Sequence, residues 1–244
     1  MYVIVEKVKK SEVIDDYGNI CLNSLIPVSI FNKNLMKYQC IRITEEPRFS
    51  SYSFVDMSSC LFSEDIDVTK YDFIYACAQK NFGPSGITLV IAKKELLEKS
   101  NPDLPNILKY DAHANEGSML NTPNTFGWYV AGKMFDWYLE NGGVAEMEKQ
   151  SIAKTAMLYD LIDKSDFYVN PVNPEQRSIN NVVFTIVNSE LEKVFLEEAE
   201  KADLRYLKGH RTVGGMRASI YNSMKIESVS ALKDFMENFE KNYG

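Results

Sequence analysis

Two apolar segments, Tyr71–Cys77 and Gly86–Ala92, flank the loop Asn81–Ser85, and this pairing constrains the fold more than any other feature of the chain. Gly86–Ala92 has the continuous apolar centre of a strand buried on both faces. The loop carries Gly83 and Pro84, residues that end strands and fix turns. A further short strand, Ser53-Phe54-Val55, precedes them and ends at Asp56. Open α/β sheets gather ligands at the carboxyl ends of their strands. Asp56 and Lys80, each just past a strand, are therefore the leading candidates for a site.

Those two residue types suit one chemistry in particular. A lysine amine can condense with an aldehyde, and a carboxylate can keep a pyridine nitrogen protonated so that the ring withdraws electrons. Lys80 and Asp56 match what pyridoxal 5'-phosphate requires of its protein. A desolvated setting would also lower the lysine pKa and help it act as nucleophile and proton carrier.

The 244 residues are 45% hydrophobic and 25% charged, enough for an ordinary globular core. A net charge of -7, with no Lys/Arg-rich block, argues against a nucleic-acid surface. No apolar run is long enough for a membrane span, and Met1–Lys7 is charged too early for a secretory signal, so a cytoplasmic protein is expected. Cys21, Cys40, Cys60 and Cys77 lack paired metal-ligand spacing and only two histidines accompany them, so reduced thiols and no zinc site are expected.

Alternation at Val3 and Val5, with a turn signal at Asp16–Asn19, reads as β structure. Thr122-Pro123 reads as a helix start, a hydroxyl cap followed by proline, with Gly142-Gly143 as the stop. Val144 to about Asp163 reads as a second long helix, with Met147, Ala153, Met157 and Leu161 among its apolar positions. Downstream, Asn181–Val187 reads as a strand, Ser189–Glu192 as a capping box, Met216–Tyr221 as a strand, and Val229 to Phe239 as the apolar face of a closing helix. Trp128, Tyr129, Phe135, Trp137 and Tyr138 are expected in core and interface, and His113 in a polar loop. The organisation expected is an α/β large domain over 1–145 followed by a small α+β domain over 146–244.

The segment Tyr75–Gly86 resembles the cofactor-lysine segment of the phosphoserine aminotransferases, class-V enzymes of pyridoxal-phosphate fold type I. Asp56–Ser59, Gly117–Pro123 and Lys208–Ser219 match in the same order, so the resemblance covers about residues 40–244. It implies a partial fold-type-I large domain, a mixed and mostly parallel sheet with helices, ahead of the small domain. It implies that Lys80 bonds the cofactor, that Gln79 touches it, and that Asp56 pairs with its ring nitrogen. Asn121 and Thr122 would bind the cofactor phosphate across a homodimer interface. Arg217 would take a substrate carboxylate, with His210 and Arg211 near the substrate phosphate. The implied reaction moves an amino group between L-glutamate and 3-phosphohydroxypyruvate in serine biosynthesis. A desulfurase would need a mobile nucleophilic cysteine, and none of the four lies in a suitable loop. Residues 1–39 depart from the family pattern, and Lys37–Cys40 stands where the family has a threonine-bearing turn. A shortened or divergent start is therefore expected, with a non-catalytic interaction module as the alternative reading.

Overall fold

The computed structural model describes residues 53–97, 99–210 and 214–244. The expectations for residues 1–50 and for Arg211 lie outside the described residues. The chain divides into two compact units, and among the described residues the boundary falls between Ala145 and Glu146.

In the first unit, β1 (Phe54–Asp56), β2 (Phe73–Cys77) and β3 (Thr88–Ala92) form a sheet in that order. β1 runs parallel to β2, and β2 antiparallel to β3, so the sheet is mixed. Phe54, Phe73, Val90, Ala92 and Tyr110 make one buried cluster, in which the Phe54 and Phe73 rings lie 5.2 Å apart. The amino end of β2 is pinned by Asp72. Its carboxylate accepts from the Ser53 amide and hydroxyl and from Lys93 Nζ at 2.6 Å.

Burial pushes the Asp72 carboxyl up, but the Lys93 ammonium and the Ser53 donors together outweigh it and hold the pKa below the ordinary carboxylate value. A depressed folded-state pKa stabilises the protein above the unfolded value, and that contribution is lost as pH falls through the folded one. Asp72→Asn is therefore expected to lower the urea midpoint at neutral pH and to flatten its decline from about pH 5 to 2. Urea titrations at stepped pH check this.

Four helices follow β3: α1 (Lys94–Leu97), α2 (Tyr110–Asn115), α3 (Thr125–Glu140) and α4 (Gly143–Lys164). His113 belongs to α2 rather than to a polar loop. It is buried, with Nε2 2.9 Å from the Ile107 carbonyl. Gly142 and Gly143 take positive φ between α3 and α4, where the sequence places the stop. Helix α3 begins later than Thr122-Pro123 suggested. Asn124 is its cap, accepting from the Gly127 amide at 3.0 Å, and Pro123 precedes the cap instead of following it.

In the second unit, β4 (Tyr168–Val169), β5 (Asn181–Ile186) and β6 (Met216–Ser219) form an antiparallel sheet with β5 central. Val182, Phe184 and Ile186 alternate onto one face with Tyr168, Met216 and Ala218. That face is covered by α4 through Leu158, Leu161 and Ile162, by α5 (Leu191–Lys201) through Phe195 and Ala199, and by α6 (Ile226–Tyr243). Helix α6 buries Val229, Leu232, Met236 and Phe239, with Phe235 packed alongside, as its periodicity predicted.

Two sequence expectations differ here. The capping box at Ser189–Glu192 does not form, because Asn188 takes the Glu190 amide and Glu190 already has helical backbone angles. On α4, Ala153 faces solvent, while Ser151, Lys154 and Thr155 are buried.

Candidate active site

Because β1 and β2 are parallel, their carboxyl ends open on the same edge of the sheet. Asp56 ends β1 opposite Tyr75, and the Met57 amide extends the ladder to the Tyr75 carbonyl at 2.8 Å. The chain then turns sharply. Asp56 Oδ1 accepts from the Ser58 amide at 2.8 Å, and Ser58 Oγ accepts from the Cys77 amide at 2.9 Å. The Asp56 carboxylate is thus fixed at its base by its own turn yet exposed at its tip, with acceptor capacity to spare.

Lys80 sits in a turn that is rigid on both sides. The Ala78 carbonyl accepts from the amides of Phe82 and Gly83, and the Ala78 amide donates to Ile87. Ala78, Asn81 and Phe82 are buried, whereas Gln79 is exposed and Lys80 half-buried. Asn81 Nδ2 donates to the Leu61 carbonyl and to Ser63 Oγ, and its own carbonyl accepts from Tyr138 Oη at 2.8 Å. Phe62 stacks on Tyr138 and meets Phe82 edge-on, at ring distances of 5.5 and 5.3 Å. Among the described residues, Lys80 Nζ itself makes no hydrogen bond or ion pair. An anchored backbone carrying an unengaged amine is the arrangement a nucleophilic lysine needs.

The Cys60 thiol reports on the same place. Burial pushes its pKa up to about 12, the Glu64 and Asp56 carboxylates add to the rise, and Lys80 opposes it. Asp56 and Lys80 thus act on one buried thiol from within electrostatic reach. A thiol so raised stays protonated near neutral pH, which removes Cys60 as a thiolate nucleophile.

Helix α3 lies against the Lys80 turn by way of small residues. A Cβ on Gly83 would stand 3.4 Å from the Ala78 Cβ and 3.6 Å from that of Ala131. A Cβ on Gly127 would come within 2.8 Å of both Asn124 Nδ2 and Ile87 Cδ1, so a side chain there would have to displace the cap residue and Ile87. Gly86, at φ +98°, faces the same Asn124 amide. The exposed Asn121 and Thr122 lead directly into this cap, beside the free N–H groups that make a helix N-terminus an anion site. Tyr138→Phe removes the Oη donor from the buried Asn81 carbonyl. The expected loss is about 0.5–1.5 kcal/mol of stability, with faster amide exchange at 79–83, measurable by urea titration and hydrogen exchange.

His210 and Arg217 lie in the second unit, on a hairpin that glycine permits. The Gly209 amide donates to Gly215 at 2.8 Å, the Arg217 amide to Leu207 at 2.7 Å, and the Gly214 amide to His210 at 2.9 Å. A Cβ on Gly209 would stand 2.1 Å from the Gly214 carbonyl oxygen, and one on Gly215 2.8 Å from that of Phe184. His210 is exposed near the tip. Arg217 is half-buried on β6 opposite Val183, and among the described residues its buried Nε has no hydrogen-bond partner.

Residues 46–232 match the family model described as aminotransferase class-V. The chain belongs to that family. It is 51% identical, over 78% of its own length and 53% of the relative's, to the phosphoserine aminotransferase of Acinetobacter baylyi. The phosphoserine aminotransferase structure from Bacillus circulans subsp. alkalophilus superposes with a TM-score of 0.81 at 38% identity, covering 85% of this chain and 58% of that one. The pyridoxal-phosphate-bound phosphoserine aminotransferase of Trichomonas vaginalis gives 0.77 at 35% identity, covering 82% and 58%. The chain thus spans little more than half the length of the relatives it matches.

The fold is that of the fold-type-I pyridoxal-phosphate aminotransferases, as the sequence resemblance implied. Within this class-V chain, Asp56, Gln79, Lys80, Asn121 and Thr122 all belong to the first unit and His210 and Arg217 to the second. The sequence did not point to Asn81, Tyr138 and Asn124, which hold the Lys80 turn and the α3 cap. Asn124 carried a local signal, as a strong cap residue three before Gly127.

Proposed function

We propose that this class-V chain acts as a phosphoserine aminotransferase, moving an amino group between L-glutamate and 3-phosphohydroxypyruvate with pyridoxal 5'-phosphate. The observation that carries this reading is Lys80, a half-buried amine without a bonded partner among the described residues, on a fixed turn whose neighbouring Cys60 also feels Asp56. These residues fit the cofactor chemically, and the half-buried Arg217 guanidinium on β6 fits a carboxylate substrate.

Bound cofactor would supply an electron-withdrawing ring that stabilises negative charge at the substrate Cα. Lys80 would hold the cofactor through Nζ, and its amine would serve as the general base that takes a proton from the substrate Cα and returns it. Asp56 would supply the carboxylate that keeps the ring nitrogen protonated. Gln79 contacts the cofactor. Asn121, Thr122 and the α3 N-terminus bind its phosphate. Arg217 orients the substrate by its α-carboxylate, and His210 with Arg211 receives the phosphate of the phosphorylated partner.

We further place the protein in the cytoplasm as a homodimer whose partner completes each phosphate site. Phe126 and Tyr129, both exposed on the first turns of α3 beside Asn121 and Thr122, support that surface. No described helix is long and apolar enough to cross a membrane.

The test is a single half-reaction. Full chain loaded with pyridoxal phosphate and given L-glutamate should release stoichiometric 2-oxoglutarate, and 3-phosphohydroxypyruvate should then be converted to phosphoserine. Absence of keto acid from the loaded chain overturns the proposal.

A further inference from the structure

Lys154 is a buried lysine for which the proposed chemistry has no use. It is 3% exposed, on the face of α4 that packs within the second unit. Its ammonium donates to three backbone carbonyls, those of Tyr221 at 3.2 Å, Asn222 at 3.3 Å and Met224 at 3.0 Å. An ammonium has three donors, so its capacity is fully used. Among the described residues no carboxylate pairs with it. Ser151, one turn earlier on α4, brings Oγ to 3.5 Å from Asn222 Oδ1. A lone charge is retained in a buried site only where fixed dipoles repay its lost hydration.

The carbonyls belong to the turn that ends β6. The ladder closes with the Ile220 amide on the Asn180 carbonyl at 2.6 Å, and the caged turn begins at the next residue. Strand β6 has only four residues, and Arg217 is one of them. Its amino end carries the Gly209–Gly215 pairing, its length pairs with β5, and the Lys154 cage adds a further fixture just beyond its carboxyl end. A slip of one residue would turn Arg217 to the opposite face of the sheet.

We propose that Lys154 is a positioning residue for Arg217: its ammonium braces the 221–224 turn, which the Met224 amide closes on the Tyr221 carbonyl at 2.9 Å, and thereby supports β6 in the register that presents the guanidinium to a carboxylate. The part of this inference that concerns carboxylate binding rests on the function proposed above; the ammonium clamp itself does not.

The experiment uses full chain and glutarate, a dicarboxylate probe, with Lys154→Met as the neutral variant that keeps the stem and Lys154→Ala as the variant open to chemical rescue. Lys154→Met is expected to weaken glutarate binding about tenfold or more. In Lys154→Ala, n-propylammonium, which replaces the deleted atoms and their charge, should restore both thermal midpoint and glutarate affinity, and n-propanol should not. Wild-type glutarate affinity in Lys154→Met overturns the positioning role even if stability falls. Equal rescue by amine and alcohol shows a packing role and overturns the clamp. Unchanged glutarate affinity in Arg217→Ala instead overturns the assignment of Arg217, and amine rescue of the thermal midpoint then judges the clamp separately.

Discussion

Lys80→Ala is expected to lower transamination by about 10²–10⁴-fold, the range for losing a positioned general base, and to stop exchange of the glutamate α-hydrogen with deuterated solvent. The size follows from the turn itself. Both flanks of Lys80 are fixed, by the Ala78 carbonyl on one side and by Asn81 held between Leu61, Ser63 and Tyr138 on the other. With the amine removed, the proton loses the carrier that this fixed turn positions. Proton NMR of glutamate in D2O with cofactor-loaded wild type and variant reads the exchange directly. Undiminished exchange in Lys80→Ala would remove Lys80 from the mechanism. Thermal unfolding of the variant should stay close to wild type, since the amine makes no hydrogen bond or ion pair among the described residues.

Arg217→Ala is the second large effect. Deleting one member of a desolvated, hydrogen-bonded charge pair costs about 2–5 kcal/mol, or roughly 30- to 3,000-fold in affinity. The Arg217 guanidinium is half-buried on β6, so a carboxylate paired with it would be partly desolvated and its loss correspondingly costly. The loss should fall mainly on the KM of glutamate, because the interaction forms on binding and is kept afterwards. Arg217→Lys should recover little, since an ammonium cannot reproduce the two-pronged geometry of a guanidinium. Steady-state kinetics on wild type and both variants measure the split. A fall in kcat at unchanged KM would contradict the assigned role.

The elements that position Lys80 and Asp56 were legible because their signals are local. Apolar runs, a Gly/Pro loop and strand ends all lie within a few residues of the side chains concerned. The start of α3 was misread for the opposite reason. Thr122-Pro123 and Asn124 both offer a cap, and the structure uses Asn124, whose side-chain amide also faces the distant Gly86. The burial of Lys154 is not legible locally, because a lysine in a helix ordinarily lies in solvent. Its burial depends on carbonyls 67 to 70 residues away. Asn81 and Tyr138, 57 residues apart, are hidden from the sequence in the same way.

The central claim is that Lys80 of this chain captures pyridoxal phosphate. The direct measurement is borohydride reduction of the full chain incubated with the cofactor, followed by proteolysis and peptide mapping by mass spectrometry. The expected result is a single reduced adduct located on Lys80, formed in saturable proportion to the chain. No adduct at saturating cofactor, or an adduct spread over surface lysines with none enriched at Lys80, would contradict the account.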